Sequence, residues 1–496
     1  MRFNRRLALT WAIAALACLS PYASRAAAGV SQRACPAQAI QIEPGWNVSG
    51  IIRRAPPGAV FCLKAGVYRM QHVAPKDGQS FYGEQAAILN GARLLTAFER
   101  DGRFWVATGQ TQQYPPNGQC APASPACNLP EALFIDDKPL RRVLAQEEVV
   151  AGTYYFDHVG ARIYLADDPR GRKVEASVTR FAFDSPASDV RINNIVVEKY
   201  ANASQQGAIN GRPSKRWIID GVEARWNSGA GVSIGSGGKL TNSNIHHNGQ
   251  LGVSAGGENL LITDNEIWAN NIYGYDFFWE AGGIKVTASD GVTILRNRVH
   301  HNVGVGIWGD IECRNMLYEK NVVEYNAFAG IFHEISYDAT IRDNVTRFNG
   351  QRYREWFWGA EIQVAGSENV EVYNNQVTVL PDGNGIVLLD QNRMTPRLTR
   401  YKTRHNYVHG NTITYVGSGN AGGAVDTKPW AENYRIIAQG NNRLDGNTYK
   451  APDCNRSIKF AWGATYRRMT FDEFRRLGHE ANGHCVVEPA ITQSSG

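Results

Sequence analysis

The chain reads as an all-β protein, a right-handed parallel β-helix carrying a small β insert and a C-terminal cap. Three observations predict this. A short apolar strand opening with glycine recurs as Gly231-Val232-Ser233-Ile234, Gly252-Val253-Ser254, Gly283-Ile284-Lys285-Val286, Gly306-Ile307, Gly330-Ile331, Gly359-Ala360-Glu361-Ile362 and Gly385-Ile386-Val387, at intervals of 21, 31, 23, 24, 29 and 26 residues. A second strand keeps the same rhythm and ends on Asn265, Asn297, Asn321, Asn344 and Asn375. A polar turn follows, as in His300-His301-Asn302, Tyr325-Asn326 and Phe348-Asn349-Gly350. Units this short cannot close a core alone, so they stack. Alternate residues then point into the coil, and asparagines at the bends build side-chain ladders. A leucine-rich repeat is excluded because its leucine scaffold is missing, and a propeller because its blades are longer.

The elements follow in order. Residues 1–28 form a secretory signal, with Arg2, Arg5 and Arg6, an apolar run over residues 7–19, and the small residues Ala26-Ala27-Ala28. Ala15-Leu16-Ala17 before Cys18 is a poor lipoprotein signal. Residues 29–95 make the N-terminal cap and first coils, with residues 51–54, 60–63 and 66–68 in the opening coils. Residues 96–180 lack the Gly/Asn rhythm and read as a β-rich insert, with a hairpin at Leu133-Phe134-Ile135-Asp136-Asp137-Lys138 and a strand at Arg162-Ile163-Tyr164-Leu165. Residues 181–450 are the β-helix core. Residues 451–496 are the C-terminal cap, where Thr470 and Glu473 form a capping box ahead of Phe474 and Leu477. The cap covers the open strand edge of the stack.

Composition narrows the function. The formal charge of +6 loses Arg2, Arg5, Arg6 and Arg25 with the signal, so 6 minus 4 leaves about +2, no argument for nucleic acid. No later apolar run spans a bilayer. Export to the periplasm or outside permits disulfides. Sequence order suggests Cys35 with Cys62, Cys120 with Cys127 and Cys454 with Cys485, leaving Cys313 as a buried thiol. There is no CxxC and no zinc spacing, so no metal is assigned. The chain is expected to act as a monomer on a carbohydrate, without a cofactor.

The chemistry lies in two repeats. Gly306-Ile307-Trp308-Gly309-Asp310 and Gly330-Ile331-Phe332-His333-Glu334 lie 24 residues apart, each with an acid four positions after its glycine. Residues two and four positions on share the outward face. One column then holds Lys285, Trp308, Phe332, Glu361 and Val387, and the next holds Thr287, Asp310, Glu334, Gln363 and Leu389. Successive rungs lie ~4.8 Å apart. Retaining glycosidases place two carboxyls ~5–5.5 Å apart and inverting ones ~6.5–9.5 Å, so rung spacing favours retention. Two acids this close disfavour double ionisation, and Lys285 helps to keep Asp310 charged. Glu280 and Glu361 flank the pair as ligands for sugar hydroxyls. Two insertions beside the acid rungs are aromatic, one with Tyr273, Tyr275, Phe277, Phe278 and Trp279, the other with Tyr353, Trp356, Phe357 and Trp358. Trp279, Trp308 and Trp358 are the candidate sugar-stacking rings. His333 falls on the inward parity. It fills the core with a satisfied hydrogen bond, or a bulge turns it toward substrate. His246-His247 and His300-His301 read as repeat decoration.

Gly306-Ile307-Trp308-x-Asp310, the strand ending at Asn321, Ile331-Phe332-x-Glu334 and Ile341-x-Asp343-Asn344 together resemble the β-helical β-xylosidases among the retaining glycoside hydrolases. The resemblance implies Asp310 as nucleophile and Glu334 as acid/base. Ile335-Ser336-Tyr337, after Glu334, departs from that pattern, so the mechanism carries over better than the sugar.

Two other readings compete with a secreted retaining glycosidase. A polysaccharide lyase or epimerase on this fold would use Lys285 as base and hold Ca²⁺ with Glu280, Asp310 and Glu334. The outward columns offer no arginine near Lys285 to neutralise a uronate, which weighs against it. A non-catalytic glycan-binding protein would need the aromatic residues but not the acids.

Overall fold

The computed structural model describes residues 35–426, 430–463 and 468–489. The expected signal segment, with Cys18, lies outside them. A complete coil runs through three strands, illustrated by Val305–Asp310, Arg314–Glu319 and Val322–Glu324. Stacking gives three parallel sheets of 11, 13 and 13 strands, the architecture expected from the repeats. The 11-stranded sheet carries the glycine-opened strands, from Phe183–Asp184 to Ile458–Gly463. Its inward residues, among them Val253, Ile284, Ile307, Ile331 and Ile362, are fully buried or nearly so in one continuous core.

The asparagines form two ladders. One runs Asn227, Asn248, Asn270, Asn302, Asn326 and Asn349, each Nδ2 donating to the next Oδ1 at 2.9–3.0 Å. The other runs from Asn265 through Asn297, Asn321, Asn344, Asn375 and Asn411 to Asn447. Each ladder ends on a buried glutamate, where no further asparagine is available. Glu361 accepts the backbone N–H and Nδ2 of Asn349, and Glu480 accepts those of Asn447. Removing one rung orphans several buried groups at once. Asn326→Ala strands the backbone N–H and a side-chain N–H of Asn302 and the carbonyl of Val299. At about 1–3 kcal/mol for each unsatisfied group, a loss of roughly 3–6 kcal/mol is expected in denaturant unfolding. A loss below ~1 kcal/mol would show that the ladder is decoration.

Both ends are covered. Residues 51–54, expected in the opening coils, belong to a helix, Val48–Arg54, whose N-cap Asn47 accepts the Gly50 N–H at 2.8 Å. Asn47 is a strong helix start, and Val48 and Ile52, four apart, bury one apolar stripe over the first coil. At the other end Thr470 and Glu473 form the capping box of Phe471–Arg476, and Phe474 stacks on Phe460 at 4.7 Å.

The insert consists of two small, mainly antiparallel sheets built from strands between Ala92–Leu95 and Val174–Ser177. Its own core includes Leu133, Tyr154, Phe156, Ile163 and Leu165. Disulfides join Cys35 to Cys62, Cys120 to Cys127 and Cys454 to Cys485, while Cys313 is a buried free thiol. Three disulfides point to an oxidising, extracytoplasmic compartment. Among the described residues no helix is long and apolar enough to cross a membrane.

Candidate active site

The outward face of the 11-stranded sheet positions the acids. Val305–Asp310 pairs in parallel with Ile331–Glu334, so that Trp308 lies beside Phe332 and Asp310 beside Glu334. One rung earlier, Lys285 pairs with Trp308 and Thr287 with Asp310. Gly309 faces inward beneath the acids. A Cβ there would come within 2.2 Å of the Tyr318 hydroxyl, which is hydrogen-bonded to Nδ1 of His333 at 3.0 Å. His333 is thus a core side chain, wholly buried, with burial pulling its imidazole down to about 3. It does not reach the outer face as a substrate ligand.

The two acids are set apart electrically. Asp310 Oδ2 accepts from Lys285 Nζ at 2.7 Å, while Asp310 Oδ1 is buried and has no hydrogen-bond partner. Lys285 also lies 3.7 Å from Glu280 and 3.4 Å from the Trp308 ring centroid. Glu334 accepts from the Trp308 indole N–H at 3.1 Å and from Arg393 at 3.2 Å. Burial and then the charge of Asp310 push the Glu334 carboxyl up to about 7, against the opposing pull of Arg393, Gln391 and Lys285. Glu334 therefore holds a proton over a pH range in which ordinary glutamates have lost theirs.

A pocket of about 190 Å³ opens on Glu334, lined by Phe278, Trp308, Phe328, Phe332, Trp358 and Gln391. Trp308 and Phe332 stack at 5.4 Å, and Trp358 meets Phe332 edge-on at 6.2 Å. Aromatic faces beside one buried acid suit the apolar face of a sugar ring.

Other expected ligands sit elsewhere. Glu361 is not beside Phe332. Gln363 occupies that place, and Ala365 pairs with Glu334, a slip of two residues from the glycine-first alignment. Glu361 is instead the buried end of an asparagine ladder, its carboxyl pushed up to about 8 by burial. Trp279 stacks on Tyr275 at 6.2 Å and closes over Gly118, where a Cβ would come within 2.5 Å of its ring. It packs on the insert loop that carries Cys120 and Cys127, leaving Phe278 to line the pocket. Backbone bonds from Ala121 to Gly274 and from Asp276 to Gln119 hold that loop against the short helix Phe277–Glu280. Glu280 sits at the site, accepting from Gln205 Nε2 at 2.7 Å.

Sequence reading missed Arg212, Arg393, Gln391 and Gln205. Arg212 reaches Ser254 Oγ at 3.0 Å and Thr287 Oγ1 at 2.8 Å, which brings an arginine to the neighbours of Lys285 after all. It follows Gly207–Gly211, a glycine-opened strand one coil before the first that the repeat pattern picked out. Arg393 and Gln391 lie in a loop without repeat signal.

A family model for the right-handed β-helix region matches residues 207–377, about a third of the chain. The fold is similar to that in a structure described as the complex of XylC with xylose, at 14% identity and a TM-score of 0.66 over 89% of this chain and 83% of that one. It is also similar to the A-module of the Azotobacter vinelandii mannuronan C-5 epimerase AlgE6, at 15% identity and a TM-score of 0.50 over 89% and 92%. No curated protein matches the chain. At these identities the likeness is one of fold.

Proposed function

We propose that the protein is a retaining glycoside hydrolase acting on a poly- or oligosaccharide, with Asp310 as nucleophile and Glu334 as acid/base. The observation that carries this reading is the split between the two acids. One is ion-paired with Lys285 and keeps an unbonded oxygen, and the other is buried, raised to about 7 and set in an aromatic pocket. A carboxyl raised by burial beside one ion-paired with a lysine suits the roles of acid and nucleophile. Glu334 gives its proton to the glycosidic oxygen while Asp310 Oδ1 attacks the anomeric carbon. Water then cleaves the glycosyl ester, its proton going to the Glu334 carboxylate. The ladder spacing of ~4.8 Å is nearer to the separation of retaining carboxyls than to that of inverting ones. The aromatic walls favour an uncharged ring in the pocket, and a xyloside, the sugar of the XylC complex, is the first substrate to test.

Proton NMR of the first product tests the reading. The released sugar is expected to keep the anomeric configuration of its glycoside before mutarotation. Inverted product would remove Asp310 as nucleophile, and an unsaturated product absorbing in the ultraviolet would remove hydrolysis altogether.

Arg212 favours the second reading, a lyase or epimerase with Lys285 as base, because it supplies the cation that a uronate carboxylate needs. Against this, Lys285 is engaged with two carboxylates and an aromatic face, whereas a base needs its lone pair free. The acids offered to Ca²⁺ are likewise engaged, by Lys285, Arg393 and the Trp308 indole.

A further inference from the structure

The outer face beside Asp310 carries an arginine for which the proposed hydrolysis has no use. Arg212 leaves the end of Gly207–Gly211 and crosses the next coil to reach Ser254 and, one coil further, Thr287. Thr287 is the ladder partner of Asp310, so the guanidinium lies one rung from the nucleophile. It lies against Gly256, where a Cβ would come within 2.6 Å of Nη2, so the absence of a side chain at that position makes room for it.

Arg212 is exposed to solvent, and the protein uses only part of its hydrogen-bonding capacity. Of the five N–H donors of a guanidinium, two serve the hydroxyls of Ser254 and Thr287, and the other three have no protein partner among the described residues. Nor does it form an ion pair with any described carboxylate. Glu280 acts on it only as a nearby charge and is itself engaged by Gln205 and Lys285. The side chain is exposed at the surface, and desolvation by its neighbours still works against its charge. Ordering a long side chain also costs entropy, so a cation held here by two hydroxyls is set up for an anion that arrives from outside. The Ser254 and Thr287 bonds fix the plane of the fork and leave its remaining N–H groups to a planar acceptor, which a carboxylate matches in two parallel bonds.

We infer that Arg212 forms a carboxylate subsite, and that the substrate carries a uronic acid next to the sugar held in the aromatic pocket. This rests on the proposed function for the position of the cleaved bond. A glycan lying along the helix axis, with that bond over Asp310 and Glu334, sets one neighbour against Phe332 and Trp358 and the other over Thr287 and Arg212. The enzyme then separates an uncharged sugar from an acidic one, and both charge and aromatic surface contribute to specificity.

Binding tests this independently of turnover. The Glu334→Gln protein is titrated calorimetrically with oligosaccharides containing galacturonate, glucuronate or mannuronate, with their carboxyl-reduced counterparts, and with a sulfated neutral oligosaccharide. The same titrations are run with Arg212→Gln and Arg212→Lys added. At least one acidic oligosaccharide is expected to bind ~10-fold or more tighter than its reduced form. Arg212→Gln removes that preference while binding of the reduced form stays within about twofold, and Arg212→Lys keeps part of it. Three results overturn the inference: no preference for any uronate, a preference that survives Arg212→Gln, or equal weakening of acidic and reduced ligands. Selective binding of the sulfated glycan alone overturns the uronate assignment. An Arg212-dependent preference in a protein that releases no reducing ends upholds the subsite and rejects hydrolysis. Cleavage of neutral glycosides without any acid preference does the reverse.

Discussion

Asp310→Ala lowers glycoside cleavage by about 10⁴-fold or more, and added azide restores part of it. The size follows from what the residue supplies. Asp310 Oδ1 is the oxygen proposed to attack, and Lys285 holds the other oxygen. Removing the carboxylate removes the covalent step, and no described acid can replace it. Glu280 is engaged by Gln205 and Lys285, and Glu334 already serves the proposed hydrolysis as proton donor. Lys285 keeps Glu280 as a partner in the variant, so the fold should survive. Azide is small enough to enter the space left by the carboxylate and should yield a glycosyl azide of inverted configuration. The measurement is steady-state hydrolysis of an aryl glycoside with and without azide, with product identified by NMR. Full activity in Asp310→Ala, or a loss that azide never relieves in a folded protein, would end the assignment.

How far the site could be read from sequence depended on whether a loop intervened. Asp310 and Glu334 sit on strands 24 residues apart with no insertion between them, and the ladder pairs them as the repeat implies. Before Ala360–Ala365 the chain makes a longer excursion through Trp356 and Trp358, and it rejoins the sheet two residues out of the expected register. A slip of two preserves the inward and outward alternation, so the pattern of apolar residues gives no warning. Glu361 was therefore expected beside Phe332, where Gln363 stands. The asparagine ladders were legible because each turn repeats the same residue. Their glutamate ends were not, because Glu361 and Glu480 occupy the place of an asparagine only once each. Which aromatic ring lines the pocket was decided from outside the repeat, by the insert loop that takes Trp279 and leaves Phe278 exposed. Arg212 reaches Ser254 and Thr287 from three coils before Lys285, and Arg393 reaches Glu334 from a non-repeating loop, distances that a repeat pattern does not encode.

Glu334→Gln should abolish acid catalysis and, at the same time, make the protein more stable at alkaline pH. The carboxyl rises from 4.5 in the unfolded chain to about 7 in the folded one. Between those values the folded state binds the proton that the unfolded state has released, so stability falls as pH rises through the window. A shift of this size corresponds to about 3 kcal/mol, fully present as a loss above the folded value and absent below the unfolded one. Glutamine keeps the shape and cannot ionise. Glu334→Gln is then expected to match the wild type at pH 4 and to exceed it by up to about 3 kcal/mol at pH 8 in denaturant unfolding. The activity profile has the same origin. Wild-type cleavage of a poor leaving group should decline above pH 7 or so as Glu334 loses its proton. Arg393→Ala removes a cation that favours the ionised form, so the alkaline limb should move to higher pH. A Glu334→Gln protein less stable than wild type at pH 8, together with an activity profile unmoved by Arg393→Ala, would mean that burial does not hold the proton on Glu334. The pair would then lack the asymmetry on which retaining hydrolysis depends, because an acid already ionised at neutral pH cannot protonate the leaving oxygen.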